Sequence, residues 1–382
     1  MKPRRTVVLT ATLSIGLAAC AGQFNEPGSS PDDGIESEAV KVSCPDSPAG
    51  DVFENVVCIC DDVRDVGELL VGTNTGDPAT VGVNGEVHFV NRAEIRGDVV
   101  AFTKYSAVTD SHIDGNLITA GGADMVAHLD VGGDLEVGAN LSAVGGLRVG
   151  GALRVGGEST ILGTEDIGSE EAYGNTPAQP CDCNPDTFFD VAGAVAAAAT
   201  NNDNAAINIG TSLTAVGVNR LDLGSGSYYF DEFAAVGDTQ ILIDGAVAIY
   251  VEGDLTSVGE QSFHIMDGST LDLYVSGTVA TVGNTTLGDP SDPSAFRLYV
   301  GGSGSMSLGV GRTRFNGSIY APEAVLAYVG DTEVRGALFA KELNAVGRLT
   351  LGYAAPGDPG DDCPDPGDDD GPDGDPDDPI VQ

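Results

Sequence analysis

A glycine-led unit recurs every 18 residues through the first half of the chain, and this period constrains the fold more than any other feature. The unit occupies residues 95–99, 113–117, 131–135 and 149–153. Eighteen residues are too few for a pair of helices, and a glycine column beside β-branched residues disfavours helix interiors. Each repeat therefore predicts one coil of a β-solenoid, with three short strands per coil and parallel ladders that stack the coils about 4.8 Å apart.

Five windows of the repeat, 79–96, 97–114, 115–132, 133–150 and 151–168, contain three columns that are aliphatic throughout. They are column three (Val81, Val99, Leu117, Leu135, Leu153), column twelve (Val90, Val108, Val126, Val144, Leu162) and column seventeen (Ile95, Ile113, Val131, Val149, Ile167). We expect all three columns to point inward as continuous stripes of core. Outward columns carry charges that pair between coils, such as Glu136 with Arg154, and we expect the column of Gly97, Gly115, Gly133 and Gly151 to form a corner.

The second half repeats with longer coils. Strings with a central aromatic residue lie at 249–251, 273–275, 298–300, 319–321 and 338–340. The dipeptide Val-Gly recurs about once per coil, at 216–217, 236–237, 258–259, 282–283, 329–330 and 346–347. The column of Tyr250, Tyr274 and Tyr299 has two interpretations: a stacking platform for sugars, or packing along the solenoid with hydroxyls at the surface. We favour packing.

The N-terminal segment predicts export. Residues 1–19 contain a short basic region, an apolar run of about ten residues and the small-residue sequence Leu17-Ala18-Ala19 before Cys20. This pattern resembles a bacterial lipoprotein signal, which implies that Cys20 is lipidated after cleavage; an ordinary secretory signal is the alternative. Ala21 in place of an aspartate implies, by the same resemblance, the outer membrane, with the protein facing the periplasm or the cell surface.

Between the two halves, 169–185 is predicted to be a loop and the alanine-rich run 186–200 a helix with Asp186 as its N-cap. A solenoid must shield its open strand edges, so we expect this helix to cap one end of the second solenoid. The predicted all-β organisation is a signal peptide (1–19), a flexible tether (20–50), a first parallel β-solenoid (51–168), a Cys-containing linker (169–185), a capping helix (186–200), a second solenoid (201–355) and an acidic disordered tail (356–382).

Two resemblances accompany this organisation. The Gly-Asp-Leu and Gly-Gly-Ala-Leu coils of 79–168 resemble those of bactofilin-like polymer-forming solenoids, which implies a right-handed β-helix. The second half, 181–353, is similar to an uncharacterised domain of bacterial surface and pilus-associated proteins, several of them lipoproteins. That similarity rests on residues 181–183, 202–204, 250–255, 297–302 and 319–322. It implies location and fold, and it brings no catalytic residues.

Charge excludes one class of function. The chain has 58 acidic against 17 basic residues and a net charge of −41, so a polyanion such as nucleic acid would be repelled. Hydrophobic residues still make up 41% of the chain, enough for a folded body.

Six cysteines remain beside Cys20, and an even number in an exported protein predicts disulfide bonds. The candidates are Cys44, Cys58, Cys60, Cys181, Cys183 and Cys363. A four-thiolate metal site is the less favoured alternative, because zinc sites usually space their cysteines more widely than Cys-x-Cys. We expect Cys58 or Cys60 to bond Cys181 or Cys183, which would hold the start of one solenoid to the start of the other; fifteen connectivities are open.

No catalytic or metal site is predicted, and no cofactor. His88, His112 and His128 fall in different columns and His264 lies in the other half, so no nucleophilic triad can be argued. The column of Asp98, Asn116 and Asp134 is either a carboxylate ladder for calcium or glycosidic chemistry, or an Asx ladder at a glycine corner, which we favour. The tail run 368–375 lacks the helix-loop-helix calcium pattern, although weak calcium binding stays open.

The sequence favours a non-enzymatic, lipid-anchored structural or adhesive surface protein, with the membrane and a surface polysaccharide or further copies of the chain as partners. Two alternatives stay open. A carbohydrate-active protein would need acid, base and cation clustered near the loops of 283–317, with the candidates Asp254, Glu260, Asp289, Arg297 and Arg312. A self-polymerising scaffold would use exposed solenoid ends, which the expected helix cap and the acidic body oppose.

Overall fold

The computed structural model describes residues 56–65, 67–73, 79–174 and 176–354, which all belong to one compact unit. The predictions for the signal peptide, Cys20, the tether, Cys44, Cys363 and the acidic tail lie outside the described residues. Within the described ranges, no helix is long and apolar enough to cross a membrane.

The described chain forms 28 strands, one α-helix and three short 3-10 helices. The strands of the first half are β1 Val57–Ile59, β2 Val63–Asp65, β3 Glu68–Thr73, β4 Val81–Val83, β5 Glu86–Phe89, β6 Ala93–Ile95, β7 Val99–Ala101, β8 Lys104–Ala107, β9 Ser111–Ile113, β10 Leu117–Thr119, β11 Gly122–Met125, β12 Leu129–Val131, β13 Leu135–Val137, β14 Leu141–Ala143, β15 Leu147–Val155, β16 Ser159–Ile161 and β17 Glu165–Ala172. The strands of the second half are β18 Ser212–Phe230, β19 Glu232–Val251, β20 Leu255–Val258, β21 Gln261–Ile265, β22 Thr270–Val275, β23 Val279–Val282, β24 Thr285–Leu287, β25 Phe296–Val300, β26 Ser305–Asn316, β27 Ser318–Arg335 and β28 Leu338–Tyr353. The helices are η1 Pro185–Thr187, α1 Val191–Ala198, η2 Asn204–Ile207 and η3 Pro293–Ala295.

The predicted parallel β-solenoid is confirmed, and it has about 14 turns. Val81 pairs in register with Val99, and Val99 with Leu117, as an 18-residue coil requires. Columns three and seventeen line the interior: Leu117 and Ile113 are fully buried. The first half therefore folds as its sequence period predicts, with three short strands per coil.

The inward prediction for column twelve is wrong. Val108, Val126, Val144 and Leu162 are exposed, and Val90 is half-buried. Each of the four valines follows a buried residue, such as Met125 before Val126, and Leu162 follows the partly buried Ile161. Because successive side chains of a strand point to opposite faces, the buried residue takes the core position and the aliphatic residue after it points outward.

The longer coils of the second half are confirmed by their register. Tyr250 pairs with Tyr274, Tyr274 with Tyr299, and Tyr299 with Tyr320. Strands β18, β19, β27 and β28 are long because they continue through the coil corners.

The two predicted solenoids form one continuous stack. β28, the last described strand, pairs in parallel with β1, β2 and β3, the first three. The coils of the second half therefore precede those of the first half along the stack, and both described ends of the chain lie near its middle. At the two ends of the stack, β17 pairs only with β15 and β18 only with β19 within the described chain.

The predicted helix is confirmed, but it lies along the side of the stack instead of across an end. Val191 and Val195 are buried in a second hydrophobic cluster with the aromatic column of the second half. Asp190 is the N-cap, with its Oδ1 accepting from the Gly193 amide at 2.8 Å, whereas the predicted cap Asp186 lies in η1. The helix takes this position because its apolar face covers aromatic side chains that the solenoid presents outward.

Candidate functional site

Two disulfide bonds fasten the linker to the first coil. Cys58 is bonded to Cys181 and Cys60 to Cys183, one cysteine of each Cys-x-Cys pair to one of the other, as predicted. Asn84, in the next coil, accepts from the Cys181 amide at 3.1 Å and donates to the Cys181 carbonyl at 2.9 Å. The bonds thus lie beside the junction of β28 and β1. They hold the first solenoid to the linker, and not to β18, which lies at the far end of the stack.

The column of Asp98, Asn116 and Asp134 forms an Asx ladder. Asp98 accepts from the Asn116 amide at 2.7 Å, and Asn116 accepts from the Asp134 amide at 2.8 Å. Gly133 shares this corner, where an added Cβ would fall 2.4 Å from Asn116 Oδ1. These side chains therefore join successive coils, and their oxygens are engaged by backbone amides.

Outward charges of the first half pair between coils, as predicted. Arg154 contacts Asp134, Glu136 and Glu171, each at 2.7 Å. The hydrogen bond from the Ala152 amide, and after it the Arg154 guanidinium, hold the pKa of Asp134 below its ordinary value. Because the arginine joins three coils, its contacts reinforce the stacking, although exposed pairs contribute only about 0–1 kcal/mol each.

The four histidines lie on separate elements. His88 Nδ1 is 2.7 Å from a serine hydroxyl, and His112 Nδ1 is 3.2 Å from an Asp130 carboxylate oxygen. His128 follows β11, and His264 lies on β21. Among the described residues, no group of three or more His, Cys, Asp and Glu side chains could hold a metal ion.

The five residues considered for carbohydrate chemistry are engaged in different places. Asp254 accepts from the Thr278 amide at 2.7 Å at a corner. Hydrogen bonds from Ser291 lower the pKa of Asp289. Glu260 and Arg312 are exposed at the corners after Val258 and Val310, and the coil of 283–284 lies between them.

Arg297, the fifth, is buried in an ion pair. Its Nε donates to Asp272 Oδ1 at 2.5 Å and its Nη2 to Asp272 Oδ2 at 2.9 Å. Burial alone would lower the pKa of Arg297, but the contact with Asp272 outweighs it and the pKa is raised. Arg297 is therefore a permanently charged structural residue, and the five side chains do not surround one cleft.

Near these residues, a shallow depression is lined by the 265–269 turn and the loop of Asp289, Ser291 and Asp292. The Ser291 hydroxyl donates to Asp289 at 2.6 Å, and the Ser294 hydroxyl donates to Asp292 at 2.5 Å. These hydrogen bonds order the loop that lines the depression.

The tyrosine column is a buried ladder, as the packing interpretation predicted. The ring centroids of Tyr250 and Tyr274 are 4.8 Å apart, and those of Tyr274 and Tyr299 are 4.7 Å apart, with nearly parallel planes. Phe189 and the helix cover these rings, and the Phe189 amide donates to the Tyr320 hydroxyl at 3.0 Å. Burial raises the pKa of Tyr274 above its ordinary value. The rings are unavailable as a platform for sugars.

The largest exposed feature is a row of aliphatic side chains along one corner. In the second half the row consists of the valines before the corner glycines, and in the first half it continues as column twelve. We call it the valine ridge: Val216, Val236, Val258, Val282, Val310, Val329, Val346, Val90, Val108, Val126, Val144 and Leu162. Val216 is 84% exposed and Val258 51%. The register of Ala345 with Asp65, and of Asp65 with Phe89, brings the two parts into line.

On one side of the ridge, the nearest outward column carries no charge in the second half. Two residues before each valine, the same outward column holds Thr214, Ala234, Thr256, Ala280, Ala327 and Asn344, with Ser307 in the coil of Val310. On the other side, two residues after the valines, charges occur, including Asp238, Glu260 and Arg312. The ridge therefore borders one uncharged column of side chains, which we call the neutral face.

This surface is not predicted from the sequence, where Val-Gly marks a repeat and column twelve is expected in the core. Alternation is the signal that indicates it: a buried residue stands directly before each valine, so both cannot point inward in one strand.

Residues 181–355 match the family described as Domain of unknown function (DUF7305). No curated protein and no solved structure matches the chain. The matched range begins at Cys181 and includes the end of the linker, the helix and the second half of the stack. Its function is unknown, so it assigns no role to any residue, and the bactofilin-like and lipoprotein resemblances stay predictions.

Proposed function

We propose that the protein is a non-catalytic, lipid-anchored structural or adhesive rod of the outer membrane. The observation that supports this proposal most is that the candidate polar side chains already form hydrogen bonds or an ion pair within the fold. Asp98, Asp254 and Arg297, which catalysis or ion binding would need, are tied into corner ladders and a buried pair. Parallel ladders join all coils into one stack, which suits a rigid rod that presents repeated side chains.

The anchor is proposed from the lipoprotein-like sequence before Cys20. Val56, the first residue that the structure describes, lies near the middle of the stack, because β1 lies between β28 and β4. An anchor joined to the chain ahead of Val56 would leave both ends of the rod clear of the attachment point.

The experiment is to express the full chain in a bacterium with an outer membrane and to follow incorporation of labelled palmitate. We expect label and outer-membrane fractionation for the unaltered chain, and loss of both for Cys20→Ser. A chain that stays unlabelled and soluble would contradict the anchor. Release of reducing sugars from surface polysaccharides, abolished by Glu260→Gln or Asp289→Asn, would contradict the non-catalytic assignment.

The open ends favour a second candidate, a self-polymerising scaffold. At one end Ile161 and Ile167 are only partly buried, and at the other Leu213 and Leu221 are. Each terminal strand keeps one unpaired edge within the described chain, and all coils run in the same direction. A head-to-tail contact would therefore extend the parallel ladder, and such a heterologous contact grows into filaments.

Light scattering and negative-stain microscopy across a salt series test this candidate, because salt screens the acidic surface. We expect filaments that lengthen with salt and that disappear in Ile167→Lys. Single rods at every salt concentration would exclude it.

A further inference from the structure

We propose that two copies of this chain associate side by side through the valine ridge and the neutral face. This contact is lateral, and it is distinct from both the lipid anchor and the end-to-end contact considered above.

The ridge is unusual in a chain with a net charge of −41. Its side chains are aliphatic at each described position, and Val126 and Val346 are 56% and 52% exposed. Single exposed valines need no explanation, but a contiguous apolar row is typical of an interaction surface.

The ridge and the neutral face supply most of the area of a stable contact. Thirteen coils spaced about 4.8 Å apart give a length of about 60 Å, and three strand residues give a width of about 10 Å, so the strip covers roughly 600 Å². A stable interface needs roughly 800 Å² from each partner. The strip therefore supplies most of this area only when it is covered along its whole length, which requires an elongated partner.

A second copy is the partner whose shape fits. Two rows of side chains with the same spacing interdigitate along their whole length, as identical side chains do between paired sheets. A twofold axis perpendicular to the stack places ridge on ridge with the copies antiparallel, and the same patch is used on both copies.

Charge favours the same arrangement. In the column of the neutral face, the first half includes His88 and the charged residues Arg64 and Asp124. In the antiparallel pair, these residues face the uncharged column of the partner, so like charges do not meet on this side. The other faces carry the acidic surplus and repel a second copy.

The experiment uses the full chain carrying Cys20→Ser, so that no lipid promotes association, in sedimentation equilibrium over a range of concentration and salt. We expect a dimer whose affinity rises with salt, because screening weakens the repulsion between two acidic chains. Val258→Asp combined with Val282→Asp should weaken the dimer by roughly 100-fold, because two carboxylates would be buried without partners.

The matched control adds the same charge to a neighbouring face. Gln240→Asp with Thr286→Asp changes two exposed residues of one other outward column and should leave the dimer intact. Circular dichroism melting of both variants verifies that they fold. Ile167→Lys, which blocks the end-to-end contact, should also leave the dimer intact, so the two kinds of assembly are distinguishable.

A photo-cross-linking residue at position 258 gives an independent measurement. It should produce a covalent dimer, whereas the same residue at position 286 should not. A monomer at all concentrations and salt levels, or a dimer that persists in the Val258→Asp and Val282→Asp variant, overturns the proposal. Association with a polysaccharide or another protein through the ridge, with no dimer, overturns it as well.

Discussion

Val57, in the first described strand, lies in parallel register with Leu338, in the last. The pairing makes one hydrophobic core out of two sequence repeats of different length, because aliphatic residues of β28 continue the interior stripes of β1 and β3. From β1 the chain forms the coils of the first half as far as β17, at one end of the stack. The linker and the helix then pass along the side of the stack to the other end, where β18 begins the second half. The coils of the second half run back to β28, which lies beside β1. Stability of the two halves is therefore coupled through this junction.

The disulfide bonds beside the junction should stabilise the whole stack. Replacing Cys58, Cys60, Cys181 and Cys183 by serine removes both cross-links between these distant parts of the chain, and we expect the free energy of unfolding to fall by about 2–5 kcal/mol. Urea unfolding followed by circular dichroism measures this. A midpoint equal to that of the unaltered chain would show that the linker is held by its packing and by Asn84 alone.

The buried ion pair should be more costly to break than to replace. Asp272→Leu leaves the buried Arg297 guanidinium without the Asp272 carboxylate, so we expect a loss of about 3–5 kcal/mol. Adding Arg297→Met to that variant should recover most of the loss. Arg220→Gln, in an exposed pair with Asp222, is the control and should change stability by less than about 1 kcal/mol. Equal losses in the single and double variants would contradict this view.

The chain should unfold at high pH, because the folded state keeps several tyrosines neutral and the unfolded state lets them ionise. Burial raises the pKa of Tyr105 to about 12, and the hydrogen bond to Glu252 raises that of Tyr229 to about 12. A pKa that is raised in the folded state favours neutral tyrosine, so this stabilisation is complete below about pH 10, the unfolded value, and is lost as pH rises toward 12. Absorbance at the phenolate band should therefore rise together with loss of the circular dichroism signal. Ionisation of all ten tyrosines near pH 10 in a folded chain would contradict this.

Much of the architecture could be predicted from the sequence, because an 18-residue period and recurrent Tyr strings translate directly into coil register. The stacking of β28 on β1 could not, since nothing local in either strand specifies its partner across the chain. Column twelve was misassigned for a related reason: apolar character was taken as evidence for burial, although only the alternation with Ala107 or Met125 decides the direction of a side chain. Candidate carboxylates were correctly assigned to an Asx ladder, because each coil needs its corner amides satisfied.

The corner glycines beside the valine ridge should be among the least replaceable residues. Gly283 has a φ of +126°, and an added Cβ would lie 2.1 Å from the Gly259 carbonyl oxygen of the preceding coil. Gly283→Ala must therefore both strain the backbone and separate two coils, and we expect a loss of about 2–4 kcal/mol. Gly210 provides the matched control, because an added Cβ there meets nothing within 4 Å. Gly210→Ala should be neutral or slightly stabilising, since alanine restricts the unfolded chain. Both effects can be measured by urea unfolding, and a similar midpoint for the two variants would mean that the coil spacing at this corner is not set by glycine.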